Sequence, residues 1–350
     1  MSKISFKTWK QVVEFHSPIK KGELDTQTIE VRQDPLTGHQ SVLNEALRGK
    51  VSFAFPETDY DYLQRRMDDT REQCFMCDGK WRMTSPRYPE RLLPEGRLEK
   101  GEVVLFPNLF PLAPYHAVVM VGEKHGRTLD DFSPSLLFDA FQVSVEFIRR
   151  CFKADSETPY FTINANFMPP AGSSIMHPHI QIIGSPLPST HHRLLLEKSL
   201  AYHQEKDSCY FTDLVETEKE SGQRWLGEIG RSSWFTAFSP IGSNEVNAVW
   251  SRNANFLDWD DDDVQMMAEG ISRTLLAYHE LKFSSFNFSC FSGPLGKSSP
   301  EFRCFLRLIN RQNMHLHYRT DDFYLQKLLK DEMIIYPPEY LASLIRKKIC

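Results

Sequence analysis

The stretch "SSIMHPHIQIIGSP", residues 173–186, decides the fold of this chain. Its second half is apolar and β-branched and stops at Gly-Ser-Pro, as a short buried strand does. Side chains two residues apart in a strand point to the same face of a sheet. We therefore expect His177, His179 and Gln181 to share one face, while Ile180 and Ile182 face a core.

The two histidines and the amide allow several kinds of chemistry. Together they can bind a metal ion, bind phosphate, or act as a nucleophile with a helper group. The alternative is a pair of histidines that only form hydrogen bonds at the edge of a sheet. Pro178 lacks a backbone donor, which places it at a sheet edge or in a turn leading into the strand.

The order of predicted elements around this strand occurs twice, which indicates an internal duplication. The first copy has strands at residues 102–106, 116–121, 160–167 and 179–184 and a helix at 133–152, and the second has strands at 233–238, 246–251, 286–291 and 304–309 and a helix at 261–281. Short connections between consecutive strands favour antiparallel pairing, so we expect an α+β fold with helices packed on antiparallel sheets. Residues 1–100 are expected to be irregular apart from a short helix at 60–69. An ordinary α+β chain with accidental similarity is the alternative.

The two copies differ at the histidines. Superposing "HPHIQII" on "RCFLRLI" aligns three residue pairs, namely His177 with Arg303, His179 with Phe305 and Gln181 with Arg307. The second copy keeps the apolar alternation and loses both histidines. Histidines with a purely structural role would be dispensable in both copies, so their presence in one copy predicts a single active site in the first half.

The composition limits the class of protein. The chain has 350 residues, of which 41% are hydrophobic and 25% are charged, and its formal net charge is -5. This describes a folded globular protein, and the negative charge disfavours a nucleic-acid partner, whose phosphates need a basic surface. Neither a signal peptide nor a membrane span is apparent in the sequence, so we expect a cytoplasmic protein without a membrane partner. Seven cysteines, an odd number, argue against a disulfide framework.

A Cys-x2-Cys pair, Cys74 and Cys77, lies upstream of the histidine strand. Followed by Asp-Gly, it is typical of a zinc turn, and zinc takes four ligands. The other thiols are isolated, so His125 and His177 are the best candidates for the remaining ligands. A redox-active Cys-x2-Cys is the rival interpretation, although no thioredoxin-like strand precedes it.

Five segments resemble, in order, the hexose-1-phosphate uridylyltransferase branch of the histidine-triad superfamily, which also contains nucleotide-sugar and dinucleotide phosphorylases. They are "RQDPLTGH" (residues 32–39), "CFMC" (74–77), "FPNLFPL" (106–112), "VVMVGEKHGRTLDDF" (118–132) and "GSSIMHPHIQII" (172–183). The resemblance extends over most of the chain, and the histidine segment is its most specific part.

The resemblance implies a fold, a reaction and a set of roles. It implies duplicated histidine-triad-like domains, which we place at residues 1–200 (catalytic) and 201–350 (degenerate), and a possible homodimer. It implies a nucleotidyltransferase that moves a nucleoside monophosphate from a nucleotide sugar to a phosphate acceptor by a ping-pong route. The roles implied are zinc binding by Cys74, Cys77, His125 and His177, nucleophilic attack by His179, phosphoryl binding by Gln181, phosphate binding by Asn166, Ser173 and Ser174, and nucleoside binding by Asn108.

The chain departs from the family pattern at several positions. Met168 occupies the place of a family glycine, which would change the sugar or phosphate pocket. The later strand lacks the histidines of a second metal site, although His315 and His317 follow nearby as a possible remnant or a solvated loop pair. Cys209 lacks a partner for a second Cys-x2-Cys. The base, the sugar and the acceptor stay open at this point, and a hydrolase or a non-catalytic zinc scaffold are the competing hypotheses.

A run of aspartates, at residues 258 and 260–263, suggests a divalent metal at first sight. It precedes the second long helix, where negative charge is favourable. We therefore interpret these aspartates as the N-terminal cap of that helix.

Overall fold

The computed structural model describes residues 3–48 and 56–349 of the chain. Its strands are β1 (Lys7–His16), β2 (Leu24–Gln33), β3 (Gln40–Asn44), β4 (Leu98–Lys100), β5 (Val103–Pro107), β6 (Tyr115–Met120), β7 (Tyr160–Phe167), β8 (His179–Ser185), β9 (Trp225–Ile229), β10 (Ser232–Thr236), β11 (Val246–Trp250), β12 (Phe286–Phe291), β13 (Phe305–Asn310) and β14 (Glu332–Ile334). Its α-helices are α1 (Glu45–Arg48), α2 (Tyr60–Arg71), α3 (Trp81–Thr84), α4 (Pro134–Ala154), α5 (Thr190–Lys206), α6 (Tyr210–Ser221), α7 (Asp261–Glu280) and α8 (Pro338–Ile349).

Strands β4 to β13 form one sheet in the order β4-β5-β6-β8-β7-β12-β13-β11-β10-β9. Every neighbouring pair in it is antiparallel, which confirms the α+β class expected from the sequence. Outward from the junction of β7 and β12, the first half has the order β7-β8-β6-β5-β4 and the second half has the order β12-β13-β11-β10-β9. The two halves thus repeat one arrangement, as the internal duplication predicts.

The register of the strands relates the two halves residue by residue. Gln181 in β8 pairs with Val118 of β6 and with Asn164 of β7. In the second half, Arg307 of β13 pairs with residue 247 of β11 and residue 289 of β12. Gln181 and Arg307 thus hold equivalent places, as the sequence superposition predicts. Asn164 and Ser289, their neighbours, pair with each other across the junction, so an approximate two-fold axis passes there.

Helices α4 and α7 cover one face of this sheet. Four residues of α4 predicted to face the core are buried, namely Leu137, Phe141, Val145 and Ile148. Ser133 caps α4 by accepting a hydrogen bond from the Leu136 amide, and Pro134 occupies its first turn. Asp260 and Asp263 form a capping box at the start of α7, which confirms the interpretation of the aspartate run.

The prediction that residues 1–100 are largely irregular is wrong. Strands β1, β2 and β3 form a second sheet with β14 in the order β1-β2-β3-β14. All ten residues of β1 are exposed, so the strand shows none of the inside–outside alternation that marks a strand in a sequence. The small sheet contacts the second half of the molecule, where the Ser41 hydroxyl lies 2.9 Å from that of Ser239. Among the described residues, no helix is both long enough and apolar enough to cross a membrane.

Candidate functional site

Four buried ligand-type residues converge beside the start of β8. Cys74 and Cys77 lie in the turn after α2, His125 lies in the loop after β6, and His177 lies in the turn before β8. Their ligand atoms all lie within 4.8 Å of one another. The Cys77 Sγ is 3.2 Å from Nδ1 of His125 and 3.4 Å from Nδ1 of His177. Metal bonds of about 2.3 Å to sulfur and 2.0 Å to nitrogen give similar spacings in a tetrahedral site, so the four residues could hold a metal ion.

The hydrogen bonds behind this cluster orient both imidazoles. Nε2 of His177 donates to the Gly122 carbonyl at 2.8 Å, and Nε2 of His125 lies 3.0 Å from the Thr70 hydroxyl oxygen. The Thr70 hydroxyl donates its own hydrogen to the Arg66 carbonyl, so it accepts from His125. Both histidines therefore present an unprotonated Nδ1 to the thiols, and such supporting bonds are typical of metal-binding histidines.

Burial lowers the pKa of both imidazoles in this cluster, those of His125 and His177, and so favours their uncharged forms. It lowers the pKa of His177 to about 4. Burial also raises the pKa of Cys77 to about 12, with a further contribution from the Cys74 thiol beside it. A divalent cation would supply the missing positive charge and release thiol protons on binding.

His179, the first residue of β8, lies on the face of the sheet opposite α4 and α7, which we call the far face. The residue is 9% exposed. Its Nδ1 donates to the backbone carbonyl of His177 at 2.9 Å. Burial lowers the pKa of His179, so its ring is neutral and its Nε2 carries the lone pair. Because His177 belongs to the candidate metal cluster, the cluster fixes the carbonyl that orients His179.

Gln181 lies two residues further along the far face and is oriented by His116. The Leu112 amide donates to Nδ1 of His116, so Nε2 of this ring carries the hydrogen and donates to Oε1 of Gln181 at 2.8 Å. The amide nitrogen of Gln181 therefore points away from His116 and is available to donate. Asn108 lies beside the same ring, with its Nδ2 3.1 Å from Nε2 of His116; because both atoms carry hydrogen, they are in contact without a hydrogen bond. Sequence analysis missed His116, although it lies two residues before Val118, the partner of Gln181.

Asn166 lies on the far face of β7 and is oriented from the second half of the molecule. Nδ2 of Asn287 donates to Oδ1 of Asn166 at 2.7 Å and to the Ala171 carbonyl at 2.9 Å. Nη1 of Arg311 donates to Oδ1 of Asn287 at 2.7 Å, which fixes the orientation of that amide. Arg311 also forms a two-pronged ion pair with Asp321. This series of hydrogen bonds leaves Nδ2 of Asn166 available to donate on the far face.

The two serines lie in the turn that joins β7 to β8. The Ser173 hydroxyl donates to the Ile175 carbonyl at 2.6 Å, while Ser174 is exposed. Met168 begins this turn with φ 72° and ψ 156°, a backbone conformation that is nearly restricted to glycine. Its side chain is fully buried in the main core, so it does not fill a ligand pocket on the surface. The chain thus keeps the backbone of a glycine at this position although the residue differs.

In the second half of the molecule, apolar side chains fill the position that is equivalent to the site of His179. Phe305 stands where His179 stands, and it packs in an apolar cluster with Phe235, Val249 and Phe291 beneath α5 and α6. Nη1 of Arg307 lies 3.2 Å from Oε1 of Glu245, with both side chains buried. Glu245 lies two residues before the strand partner of Arg307, as His116 does for Gln181. Glu245 and Arg307 therefore occupy the positions equivalent to His116 and Gln181, and they form an ion pair where the first half has two neutral groups.

The remaining candidates do not join the site. His315 and His317 lie in the loop after β13, where the His317 amide donates to Nδ1 of His315 and the side chain of His317 is exposed. Within residues 3–48 and 56–349, one group of three or more His, Cys, Asp or Glu residues is arranged so that it could hold a metal ion. It consists of Cys74, Cys77, His125 and His177. Cys209 is a buried thiol whose Sγ donates to the Glu301 carbonyl.

The sequence has a distant relative of uncharacterized function. A protein from Archaeoglobus fulgidus is 29% identical over 340 residues, which are 97% of this chain and 98% of that protein. No protein-family model matches the chain.

Solved structures are similar over nearly their whole length. An ADP-glucose phosphorylase from Arabidopsis thaliana with bound ADP-glucose has a TM-score of 0.71 and 18% identity, covering 91% of this chain and 98% of that chain. A GalT-like protein from Arabidopsis thaliana has a TM-score of 0.67 at 17% identity, again covering 91% and 98% of the two chains. A uridylyltransferase has a TM-score of 0.64 at 18% identity, with the same coverage. The chain therefore has the fold of the uridylyltransferases and of ADP-glucose phosphorylase, which confirms the fold that the sequence motifs imply.

Proposed function

We propose that the protein is a nucleotidyltransferase that moves a nucleoside monophosphate from a nucleotide sugar to a phosphate acceptor. The acceptor is a sugar 1-phosphate or inorganic phosphate. The observation that carries this proposal is the state of His179, whose Nδ1 is tied to the His177 carbonyl while Nε2 keeps its lone pair on the far face of the sheet. A neutral imidazole held in this way is a competent nucleophile toward phosphorus.

The proposed reaction has two displacements. Nε2 of His179 attacks the α-phosphorus of the nucleotide sugar, a P–N bond forms, and the P–O bond to the departing sugar phosphate breaks. An oxygen of the acceptor phosphate then attacks the same phosphorus and releases His179. Phosphoryl transfer depends mainly on in-line positioning and on stabilising the equatorial oxygens.

The far face supplies donors for those oxygens. The amide nitrogens of Gln181 and Asn166 are directed away from their protein partners by His116 and Asn287. Preorganised donors of this kind stabilise developing negative charge without reorganising during the reaction. Ser173 and Ser174 would bind phosphate oxygens from the preceding turn, and Asn108 would bind the nucleoside.

We assign zinc to the buried cluster, with Cys74, Cys77, His125 and His177 as ligands. Two thiolates and two imidazoles form a closed tetrahedral set, which leaves no coordination position for substrate. A zinc ion there would stabilise the turn before β8. The chain's own contribution is the His177 carbonyl, which holds the hydrogen of His179 on Nδ1. Residues 1–200 would form the catalytic domain and residues 201–350 its degenerate counterpart.

Intact-mass spectrometry tests the proposal. The protein is incubated briefly with UDP-, ADP- and GDP-sugars and quenched at alkaline pH, because phosphoramidates are labile in acid. We expect an added nucleoside monophosphate on the wild type and none on His179→Ala. His317→Ala, which replaces an exposed histidine elsewhere, should carry the adduct as the wild type does. An adduct that persists on His179→Ala would assign the nucleophile elsewhere, and nucleotide release without any phosphate acceptor would identify a hydrolase.

A further inference from the structure

A basic pocket lies in the second half, between the loop after β11 and the loop that joins β12 to β13. Its volume is about 460 Å³, a size typical of small-molecule sites. Its lining includes three cationic side chains and two hydroxyls, namely Arg252, Lys297, Arg303, Ser298 and Ser299.

The pocket corresponds by internal symmetry to the candidate metal cluster. Arg303 aligns with His177, and the segment from Arg252 aligns with the segment that carries His125. Three antiparallel pairings separate β8 from β13 in the sheet, namely β8-β7, β7-β12 and β12-β13. The two strands therefore run in opposite directions, and their first residues lie toward opposite ends of the sheet. The pocket is therefore separate from His179 and Gln181.

The lining of this pocket carries three positive charges against the single negative charge of Asp258. Within the described part of the chain, Arg252, Lys297 and Arg303 have no carboxylate at salt-bridge distance. Asp258 is the acidic residue of the lining and pairs with none of them. Three unpaired cations in a chain with a net charge of -5 make a local field that attracts anions.

Arg303 is held in place by neutral groups. Its Nε donates to the Ser251 carbonyl at 3.1 Å, and its Nη1 donates to the carbonyls of Phe302 and Pro300 at 2.6 and 3.1 Å. Its Nη2 has no acceptor among the described residues. These bonds fix the guanidinium without cancelling its charge, which reduces the entropy lost when a ligand binds.

The loop that carries Lys297 and both serines is anchored by two backbone hydrogen bonds just before Lys297. The Gly293 amide donates to the Ala254 carbonyl at 2.8 Å, and the Leu295 amide donates to the Pro159 carbonyl at 2.9 Å. Gly296 adopts φ +71°, and a Cβ there would lie 2.5 Å from the Phe152 ring, so the tight turn requires glycine. An anchored Gly-Lys-Ser-Ser turn offers a cation and hydroxyls to one ligand, as phosphate-binding loops do.

We propose that this pocket binds a small phosphate-bearing molecule at a second site, distinct from the site of His179. Phosphate suits the donor set because a fixed guanidinium, an ammonium and two hydroxyls all donate hydrogen bonds to oxygen. The inference does not depend on the proposed reaction, since it uses none of the residues of the far face.

Isothermal titration calorimetry with inorganic pyrophosphate tests this site. The wild type is compared with Lys297→Ala/Arg303→Ala and with Arg65→Ala/Lys347→Ala, a control that removes the same charge from exposed positions outside the pocket. Loss of charged hydrogen bonds should weaken binding by about ten- to a hundred-fold in the pocket variant. The control should bind as the wild type does.

Hydrogen exchange locates the bound anion. Pyrophosphate should protect amides of residues 292–303 in the wild type and not in the pocket variant, whose thermal unfolding should match that of the wild type. Unchanged affinity in the pocket variant, an equal loss in the control, protection confined to residues 168–181, or no binding by the wild type would each overturn the proposal.

Discussion

The geometry around Gln181 depends on a histidine whose contribution is purely orientational. Nε2 of His116 donates to Oε1 of Gln181, so the amide nitrogen is the group left for a ligand. Without His116, the amide of Gln181 could rotate and present oxygen to a phosphate, which would be repulsive. His116 is therefore a positioning residue in the proposed reaction.

We expect Gln181→Ala to lower kcat by about 10²–10³-fold, as loss of one preorganised donor does in other enzymes. His116→Ala should lower kcat by about tenfold, because in the proposed reaction its effect on the phosphoryl oxygens is exerted through Gln181. Adding His116→Ala to Gln181→Ala should then have little further effect, since the two residues act in one contact. Steady-state kinetics of the three variants measure this, and full additivity of the two losses would contradict it.

His177, His179 and Gln181 could be identified because they follow a two-residue period within one strand. His116 could not, because its role arises from the register of β6 against β8, which a single sequence does not encode locally. Asn287 was missed for the same reason, since it reaches Asn166 only through the pairing of β12 with β7.

At the scale of elements, the packing of α7 on the sheet depends on a glycine. A Cβ on Gly270 would lie 1.9 Å from Cζ2 of Trp234, and both residues are buried. The close approach allows the indole of β10 to lie directly against the helix backbone. A glycine within a helix costs about 1 kcal/mol relative to alanine, so this contact offsets a local penalty.

We expect Gly270→Ala to destabilise the protein although alanine favours helix. Overpacking costs about 1–3 kcal/mol, and the rigid indole has little room to move. Urea unfolding monitored by circular dichroism measures the free energy of unfolding. Gln265→Ala, on the exposed side of the same helix, should change it by less than about 0.5 kcal/mol. A Gly270→Ala variant as stable as the wild type would contradict the predicted clash.

The elements around the site could be predicted within about two residues, whereas the small sheet could not. Strand β7 and helix α4 carry the periodicities and caps that sequence analysis detects. Strand β1 pairs over its whole length with β2 yet buries nothing, so its stability comes from pairing and cross-strand contacts instead of a core face. Such strands leave little trace in the alternation of apolar and polar residues.

At the scale of the whole molecule, the second half supports the site in the first. A continuous chain of hydrogen bonds runs from Asp321 through Arg311 and Asn287 to Asn166. Donors and acceptors alternate along it, so the ion pair at one end determines which atom of Asn166 faces a ligand.

We expect Asn287→Ala to lower kcat by about tenfold, because the Asn166 amide loses the hydrogen bond that orients it. Arg311→Lys should have a smaller effect, because a lysine keeps the positive charge beside Asp321. Some loss should remain, because a lysine cannot form the two-pronged pair. The metal content of both variants should equal that of the wild type, because neither residue contacts the cluster. Activity unchanged in Asn287→Ala would show that the second half does not orient the site.

The pairing of β7 with β12 suggests how the ten-stranded sheet arose by duplication. Two separate copies of one ancestral unit, pairing through their edge strands, would form the same ten-stranded sheet, with identical clefts related by the axis between Asn164 and Ser289. Fusion of the two genes would release one copy from selection for catalysis. On this view Phe305, Arg307 and Glu245 fill the cleft of the second copy, and the present chain joins in one polypeptide two units that once paired as a dimer.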